Sequence, residues 1–245
     1  MGISHTQHGV VSAASSVHSL PYATFEAIRQ FDTCTIANAI EHFSVRLRNE
    51  GFTRSGLQCV TGGSPRILGY AATCRVRSAD PPMSGSAYVD RTDWWKKLSL
   101  LPIPRIAVFQ DLDANASGAS IIGEVHAAIL KAFHCEGVVT NGSVRDIPAV
   151  SRMEFPMFAR AASVSHAYMH IVDFGTPVEI FGLPVKSGDL LYADIHGVVS
   201  IPHDIAARVP EAAAQIRDQE REIIDLCQSP GFSLEKLVQA VQTRP

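Results

Sequence analysis

The sequence predicts a mixed α/β fold, and three stretches of the chain carry this prediction. Residues 105–140 pass from a buried-strand pattern to an amphipathic helix and back to a strand pattern. Residues 172–201 form short apolar runs separated by glycine-containing turns, which is typical of β-strands. Residues 204–228 have the length and charge pattern of one long helix. With 245 residues, 46% of them hydrophobic, the chain can bury a full core. We therefore expect a flexible leader over 1–21 and a single domain over 22–245.

In the first part of this domain, the sequence predicts two short helices followed by a long strand. The helices fall at 25–31 and 35–43, and Asp32 or Thr33 between them is a residue type that caps a helix start. Residues 67–77 alternate well enough to form a strand. The other segments here are a loop with a strand at 44–65, a loop at 78–86 and a helix at 89–98.

The central unit consists of a strand at 105–112, a helix that begins at Glu124 and a second strand at 137–140. Apolar residues recur at helical spacing after Glu124, and Gly137 is the residue type that closes a helix. The second strand ends at Asn141-Gly142, and Arg145-Asp146 follow in the next turn. The helix start and this turn are therefore the two ends of one helix-and-strand unit.

In the last part of the domain, the sequence predicts short strands and then helices. The strands are expected at 157–162, 172–180, 183–185, 190–194 and 198–201, followed by helices at 204–228 and 232–243.

Composition excludes several classes of function. The formal net charge of −3 and a pI near 6.3 give no electrostatic case for binding nucleic acid or an anionic membrane. No apolar run reaches the eighteen or so residues that a membrane helix needs. Five cysteines without a paired spacing favour a reducing compartment and argue against a zinc site. We therefore expect a cytoplasmic protein.

Glu124 and the Arg145-Asp146 pair are the candidate functional residues. A helix start offers free backbone N–H groups and a partial positive charge, which suit a carboxylate or a phosphate. Asp146 offers a hard oxygen ligand for a divalent cation, and Arg145 a cationic fork for an anion. From the residues alone, the alternative stays open that Glu124 is an ordinary first-turn acid and that Arg145 and Asp146 form a surface ion pair.

The pattern of motifs resembles the RraA-like family, and within it the class II, metal-dependent 4-hydroxy-4-methyl-2-oxoglutarate/4-carboxy-4-hydroxy-2-oxoadipate aldolases. That branch has an acid, twenty intervening residues and then Arg-Asp, which Glu124, residues 125–144 and Arg145-Asp146 match without a gap. Further similar segments are 32–39, 68–73, Phe158-Ala159-Arg160 and 185–202. The resemblance implies a swivelling β/β/α sandwich domain that assembles as a homotrimer or homohexamer.

The resemblance also implies an activity and a cofactor. The expected enzyme is a lyase that cleaves 4-hydroxy-2-oxo acids to release pyruvate, with oxaloacetate decarboxylase activity through the same enolate. Asp146 is expected to hold Mg²⁺ or Mn²⁺, Glu124 to reach the ion through water and Arg145 to stabilise the enolate. The expected substrate-binding set at the helix start is Gly123, Val125, His126, Ala127 and Ala128, together with Arg145.

Other residues carry weaker expectations. His126 is expected either to contact the distal end of the substrate or to lie on the helix surface without a role. Glu220, or Glu222 as the alternative, matches a glutamate that the aldolases place in a neighbouring subunit's site, although a solvated helix face explains it equally well. The spacing of His166, His170 and His196 fits no compact metal motif. The tryptophan pair at 94 and 95 is expected to make core or subunit contacts.

Two alternatives to this enzyme remain open at the level of sequence. One is a non-catalytic binding protein like the family's ribonuclease-regulator branch, which characteristically lacks the acid at the position of Glu124. The other is a lyase with a diverged substrate. Room for it is left by Asn38 and Asn141, where the family often has aspartate, by His126 and by the region 78–104.

Overall fold

The structure, a computed structural model, describes residues 19–83, 87–113 and 118–242. The leader predicted over 1–21 falls almost wholly outside these ranges. The helices within them are α1 (Tyr22–Ile28), α2 (Thr33–His42), α3 (Ala87–Ser99), α4 (Glu124–Ala132), α5 (Ile147–Arg152), α6 (Val209–Gln228) and α7 (Leu234–Gln242). None of these helices is long and apolar enough to cross a bilayer.

The strands are short, except for one that spans the molecule. In chain order they are β1 (Gln58–Cys59), β2 (Ile67–Arg77), β3 (Arg105–Asp111), β4 (Ser120–Ile122), β5 (Cys135–Thr140), β6 (Ser143–Val144), β7 (Met157–Ala159), β8 (Ala161–Ala162), β9 (His170–Phe174), β10 (Val178–Ile180), β11 (Leu183–Val185), β12 (Leu190–Asp194) and β13 (Gly197–Ile201).

The main sheet has eight strands in the order β1-β7-β5-β3-β2-β12-β13, with β9 paired to the far end of β2. Strands β2, β3, β5 and β7 are parallel, and the others pair antiparallel. Two further units are a hairpin of β10 and β11 and a small parallel sheet in the order β4-β6-β8.

Both faces of the main sheet are covered, which explains why β2 is apolar nearly throughout. Leu68 and Tyr70 face a cluster formed with α1, α2 and α6, and further along the same face Cys74 and Val76 pack in a second cluster with residues of α3 and α4. On the opposite face, Ala71 belongs to a third cluster with the β10–β11 hairpin. A helical layer therefore covers one face and a short β layer the other, as the predicted β/β/α class requires.

The predicted strand at 67–77 and the two helices before it are confirmed, although α1 lies three residues earlier than predicted and α2 begins two residues earlier. The side chain of Asp32 accepts a hydrogen bond from the N–H of Thr35, so it caps α2 as expected. The long C-terminal helix is also confirmed, although it begins at Val209 rather than at residue 204.

Three predictions about the elements were wrong in detail. Gly137 does not close α4, because the helix ends at Ala132, and the turn to β5 uses His134 at φ +57°. Gly137 instead lies inside β5, where an added Cβ would come within 2.6 Å of the carbonyl oxygen of Pro156. Its role is therefore close packing against the neighbouring chain segment. The predicted strands at 157–162 and 172–180 are each two strands, which pair in different sheets.

Candidate active site

Parallel pairing of two very short strands brings the predicted functional segments together. Strands β4 and β6 lie side by side with Ile122 opposite Val144, so the chain leaves both strands at the same edge. One exit leads to Gly123 and into α4, and the other leads to Arg145. The N–H of Arg145 donates to the carbonyl of Ile122 over 2.9 Å, which fixes the two exits against each other.

Asp146 joins the two segments directly. Its Oδ2 accepts a hydrogen bond from the backbone N–H of Glu124 at 3.0 Å and lies 3.5 Å from the Nε of Arg145. Its backbone is left-handed, at φ +57°, and its carbonyl accepts the N–H groups of Ala149 and Val150 at the start of α5. The predicted convergence of Glu124 and Asp146 is thus confirmed, and α5, which the sequence analysis missed, is what holds Asp146 in place.

Gly123 leaves room for this arrangement. A Cβ added at residue 123 would lie 2.5 Å from Oδ2 of Asp146 and 2.9 Å from Nε of Arg145. Both distances are shorter than side-chain contacts tolerate. The absence of a side chain at Gly123 is therefore what allows the carboxylate and the guanidinium to approach the start of α4.

The set of N–H groups predicted to bind the substrate is smaller than expected. Ala127 donates its N–H to the carbonyl of Gly123 over 2.9 Å, within the first helical turn, and Ala128 lies one residue further into the helix. The prediction that these two alanines bind a carboxylate through their N–H groups was therefore wrong. A helix start leaves its first N–H groups without helical partners, and after Asp146 has taken that of Glu124, those of Val125 and His126 remain.

Glu124, Arg145 and Asp146 all line one cavity of about 430 Å³, a size typical of small-molecule sites. Much of the remaining lining was not predicted from sequence. It consists of Pro82, Arg91, Trp95, Ser120, Ile121, Ile129, His166, Ala167, Tyr168 and Met169. The cavity therefore combines a charged wall at the start of α4 with a largely apolar wall from α3 and residues 166–169.

His126 also lines the cavity, but it is not a surface histidine. Its side chain is 7% exposed, and its ring packs against those of Trp94, Trp95 and Phe109 at centroid distances of 5.8, 6.2 and 5.8 Å. Neither ring nitrogen has a hydrogen-bond partner among the described residues. Burial, and secondarily the charge of Arg91, lowers the pKa of His126 to about 3. The imidazole is therefore neutral at physiological pH.

No three His, Cys, Asp or Glu residues in the described ranges are grouped so that they could hold a metal by themselves. Of the three histidines whose spacing was weighed, His166 lines the cavity, His170 lies in β9, and the Nδ1 of His196 lies 3.1 Å from a carboxylate oxygen of Asp194. Glu220 and Glu222 are exposed on α6 and do not line this cavity. Their contribution to a neighbouring subunit stays a prediction.

The two asparagines that were predicted to stand where the family often has aspartate differ in their surroundings. Asn141 binds the backbone of Asp111 in both directions, since its Oδ1 accepts the N–H at 2.6 Å and its Nδ2 donates to the carbonyl at 3.0 Å. An aspartate has no donor for the second bond, so the amide ties the ends of β3 and β5 together. Asn38 is exposed and lines a separate cavity with Cys34 and His196.

Comparisons with known proteins agree with this architecture. The family model described as "RraA-like: Aldolase/RraA" matches residues 33–200. A relative from Halalkalibacterium halodurans, named "Putative 4-hydroxy-4-methyl-2-oxoglutarate aldolase", is 27% identical over 124 residues, which cover 49% of this chain and 59% of that protein. The chain thus spans less than two thirds of the length of that relative.

Two solved structures share the fold. One is described as novel cellulases from microbes associated with the gut ecosystem, with a TM-score of 0.71 and 20% identity over 85% of this chain and 90% of the other. The second is Streptomyces coelicolor RraAS2, described as an unusual member of the RNase ES inhibitor RraA protein family, with a TM-score of 0.65 and 17% identity over 83% and 96% of the two chains. At these identities the similarity concerns the fold alone.

Proposed function

This chain belongs to the RraA-like family, and on that premise we propose that it is a divalent-metal-dependent carbon–carbon lyase. Its substrates are 4-hydroxy-2-oxo acids, from which it releases pyruvate. One observation carries the proposal: Glu124, Arg145 and Asp146 line the same cavity at the start of α4. A carboxylate pair, a guanidinium and a helix start in one cavity supply the groups that a retro-aldol cleavage needs.

The donor atoms present fit Mg²⁺ or Mn²⁺. Asp146 and Glu124 offer hard carboxylate oxygens, and the lack of a third grouped ligand among the described residues suits a cation that keeps several waters and binds its substrate. Asp146 would hold the ion directly, and Glu124 would hold it through water. When bound, the ion supplies positive charge against the enolate that forms on the 2-oxo group.

The start of α4 binds the carboxylate of the substrate. The N–H groups of Val125 and His126 point out of the first turn, where the helix dipole adds a partial positive charge. Arg145 lies beside this site and donates to the oxygen of the 2-oxo group. Substrate binding therefore orients C3 and C4 toward the carboxylate of Glu124.

The cleavage moves one proton and one electron pair. Glu124 accepts the proton of the 4-hydroxyl group, directly or through a water molecule, as the C3–C4 bond breaks and C4 becomes a carbonyl. The electron pair of that bond forms the enolate, whose oxygen Arg145 stabilises, and protonation at C3 gives pyruvate. Loss of CO₂ from oxaloacetate would yield the same enolate.

The direct test is pyruvate release from 4-hydroxy-4-methyl-2-oxoglutarate and from oxaloacetate, with Mg²⁺ and with a chelator. We expect release with Mg²⁺ only, and a loss of about 10²-fold in kcat for Glu124→Gln, because a general base contributes at least that factor. Glu211→Gln is the matched control, since Glu211 is also a first-turn helix acid but lies on α6. Absence of turnover with either substrate would instead favour a non-catalytic binding protein of this family, and turnover that survives the chelator or is unaffected by Glu124→Gln would overturn the proposed mechanism.

A further inference from the structure

The apolar wall of the active-site cavity indicates which substrate the cavity takes. We propose that the distal group of the substrate, the part carried on C4, is an aromatic ring that binds against Trp95, Tyr168 and Met169. The substrate class is then a 4-aryl-4-hydroxy-2-oxo acid. This inference rests on the proposed lyase function and adds the identity of the group that leaves as an aldehyde.

The wall is formed by large apolar and aromatic side chains. Trp95 is half-buried and packs against the core, so its indole is held in a fixed orientation. Tyr168 is 55% exposed, Met169 is 6% exposed, and both line the same cavity. Aromatic rings and a thioether are favourable neighbours for an aryl group, through stacking and sulfur contacts. A pyruvyl fragment alone would leave this wall without a partner.

The polar side chains of the same wall are buried or make contacts within it. Both ring nitrogens of His126 are buried behind the aromatic rings. Arg91 and His166 also lie on this wall, and Nη2 of Arg91 donates to the sulfur of Met169 at 3.9 Å. A guanidinium also interacts favourably with the face of an aromatic ring.

The consecutive tryptophans explain how the wall is built. Neighbouring helix positions point about 100° apart, so Trp94 faces the core at 1% exposure while Trp95 faces the cavity. The ring of His126 packs against both indoles and thereby joins α3 to the start of α4. The aryl-binding wall and the carboxylate-binding N–H groups are therefore held at a fixed separation.

The reaction of such a substrate balances without a further reactant. The C3–C4 bond of 4-hydroxy-2-oxo-4-phenylbutanoate breaks, the 4-hydroxyl proton passes to Glu124, and benzaldehyde leaves. The electron pair becomes the enolate, which takes a proton at C3 to give pyruvate.

Binding tests the wall independently of turnover. The probes are 2-oxo-4-phenylbutanoate and 2-oxoglutarate, which lack the 4-hydroxyl group and cannot be cleaved. Because Trp94 and Trp95 are the two tryptophans of the chain, Trp94→Phe leaves Trp95 as the only indole fluorophore. In this variant we expect the aryl probe to quench the fluorescence and to bind at least about tenfold more tightly than 2-oxoglutarate. Equal or tighter binding of 2-oxoglutarate overturns the proposal.

Substitution of the wall provides the second readout, by calorimetry. Trp95→Leu should weaken binding of the aryl probe by about tenfold and binding of 2-oxoglutarate by less, since only the aryl group stacks on the indole. Equal weakening of both probes would mean that Trp95 has a structural role only, and overturns the assignment.

Turnover separates this inference from the proposed function. Metal-dependent pyruvate release from 4-hydroxy-2-oxo-4-phenylbutanoate, with a higher kcat/KM than for 4-hydroxy-2-oxopentanoate, supports both. Release from the pentanoate with a lower kcat/KM for the aryl substrate overturns the aryl assignment and leaves the lyase intact. Tight binding of the aryl probe without cleavage of either substrate supports the assignment of the aryl-binding wall and overturns the proposed lyase function.

Discussion

Asp146→Asn should reduce turnover of 4-hydroxy-2-oxo acids by roughly 10³-fold, because it removes the charge that binds the cation and leaves the enolate less stabilised. Asparagine is the appropriate replacement, since it has the same shape and tolerates the left-handed backbone that residue 146 adopts at φ +57°. The measurements are kcat with saturating Mg²⁺ and calorimetric titration with Mn²⁺, and both turnover and metal binding should be lost.

A matched control distinguishes this effect from a general loss of charge. Asp204 is exposed in the turn before α6, and Asp204→Asn should retain the parent kcat. The free energy of unfolding of Asp146→Asn should stay within about 1 kcal/mol of the parent value. Retained Mn²⁺ binding together with retained turnover would exclude Asp146 as the metal ligand.

The second large effect concerns stability in acid. The pKa of His126 is lowered from its ordinary 6.5 to about 3 in the folded protein. Below pH 6.5 the unfolded chain therefore binds a proton that the folded protein does not bind. The contribution of His126 to the free energy of unfolding is fully present above this pH and falls as the pH approaches 3. The total loss is about 5 kcal/mol, of which about 2 kcal/mol is reached at pH 5.

Urea unfolding at pH 7.5 and pH 5.0 measures this effect. His126→Leu removes the titrating ring, so its free energy of unfolding should fall by about 2 kcal/mol less than that of the parent between the two pH values. His42→Gln, at the exposed end of α2, should show the same fall as the parent. The prediction that His126 is buried and neutral is wrong if the leucine variant loses as much stability between the two pH values as the parent.

The elements of the fold that could be predicted are those with a strong local pattern. Residues 67–77 are apolar nearly throughout and form β2 at the predicted bounds. Asp32 caps α2 because an acceptor side chain at the N-cap position binds a backbone N–H group that has no helical partner. By contrast, α5 was missed, because it has only six residues and its cap, Asp146, is left-handed, although Pro148 in its first turn is a helix-start signal.

The charged part of the site was predicted for a different reason. Glu124 and the Arg145-Asp146 pair stand at the two ends of the helix-and-strand unit and match the motif of the family that the chain resembles, whereas the pairing of β4 with β6 that brings those ends to one edge was not predicted. Trp95 and His126 could not be placed in this way, because their neighbours come from distant parts of the chain. The signal that was available is the tryptophan pair itself, since neighbouring helix positions point about 100° apart and the second indole is turned away from the direction of the first.

The close approach at Gly123 has an evolutionary consequence. Because a methyl group at this position would occupy the space of the Asp146 carboxylate, the two positions should be epistatic. Gly123→Ala should lower kcat strongly in the parent and only slightly in the Asp146→Asn background, where there is no bound cation left to displace. On the proposed function, a side chain at position 123 would then be tolerated only in a lineage that no longer uses the Asp146 carboxylate for catalysis.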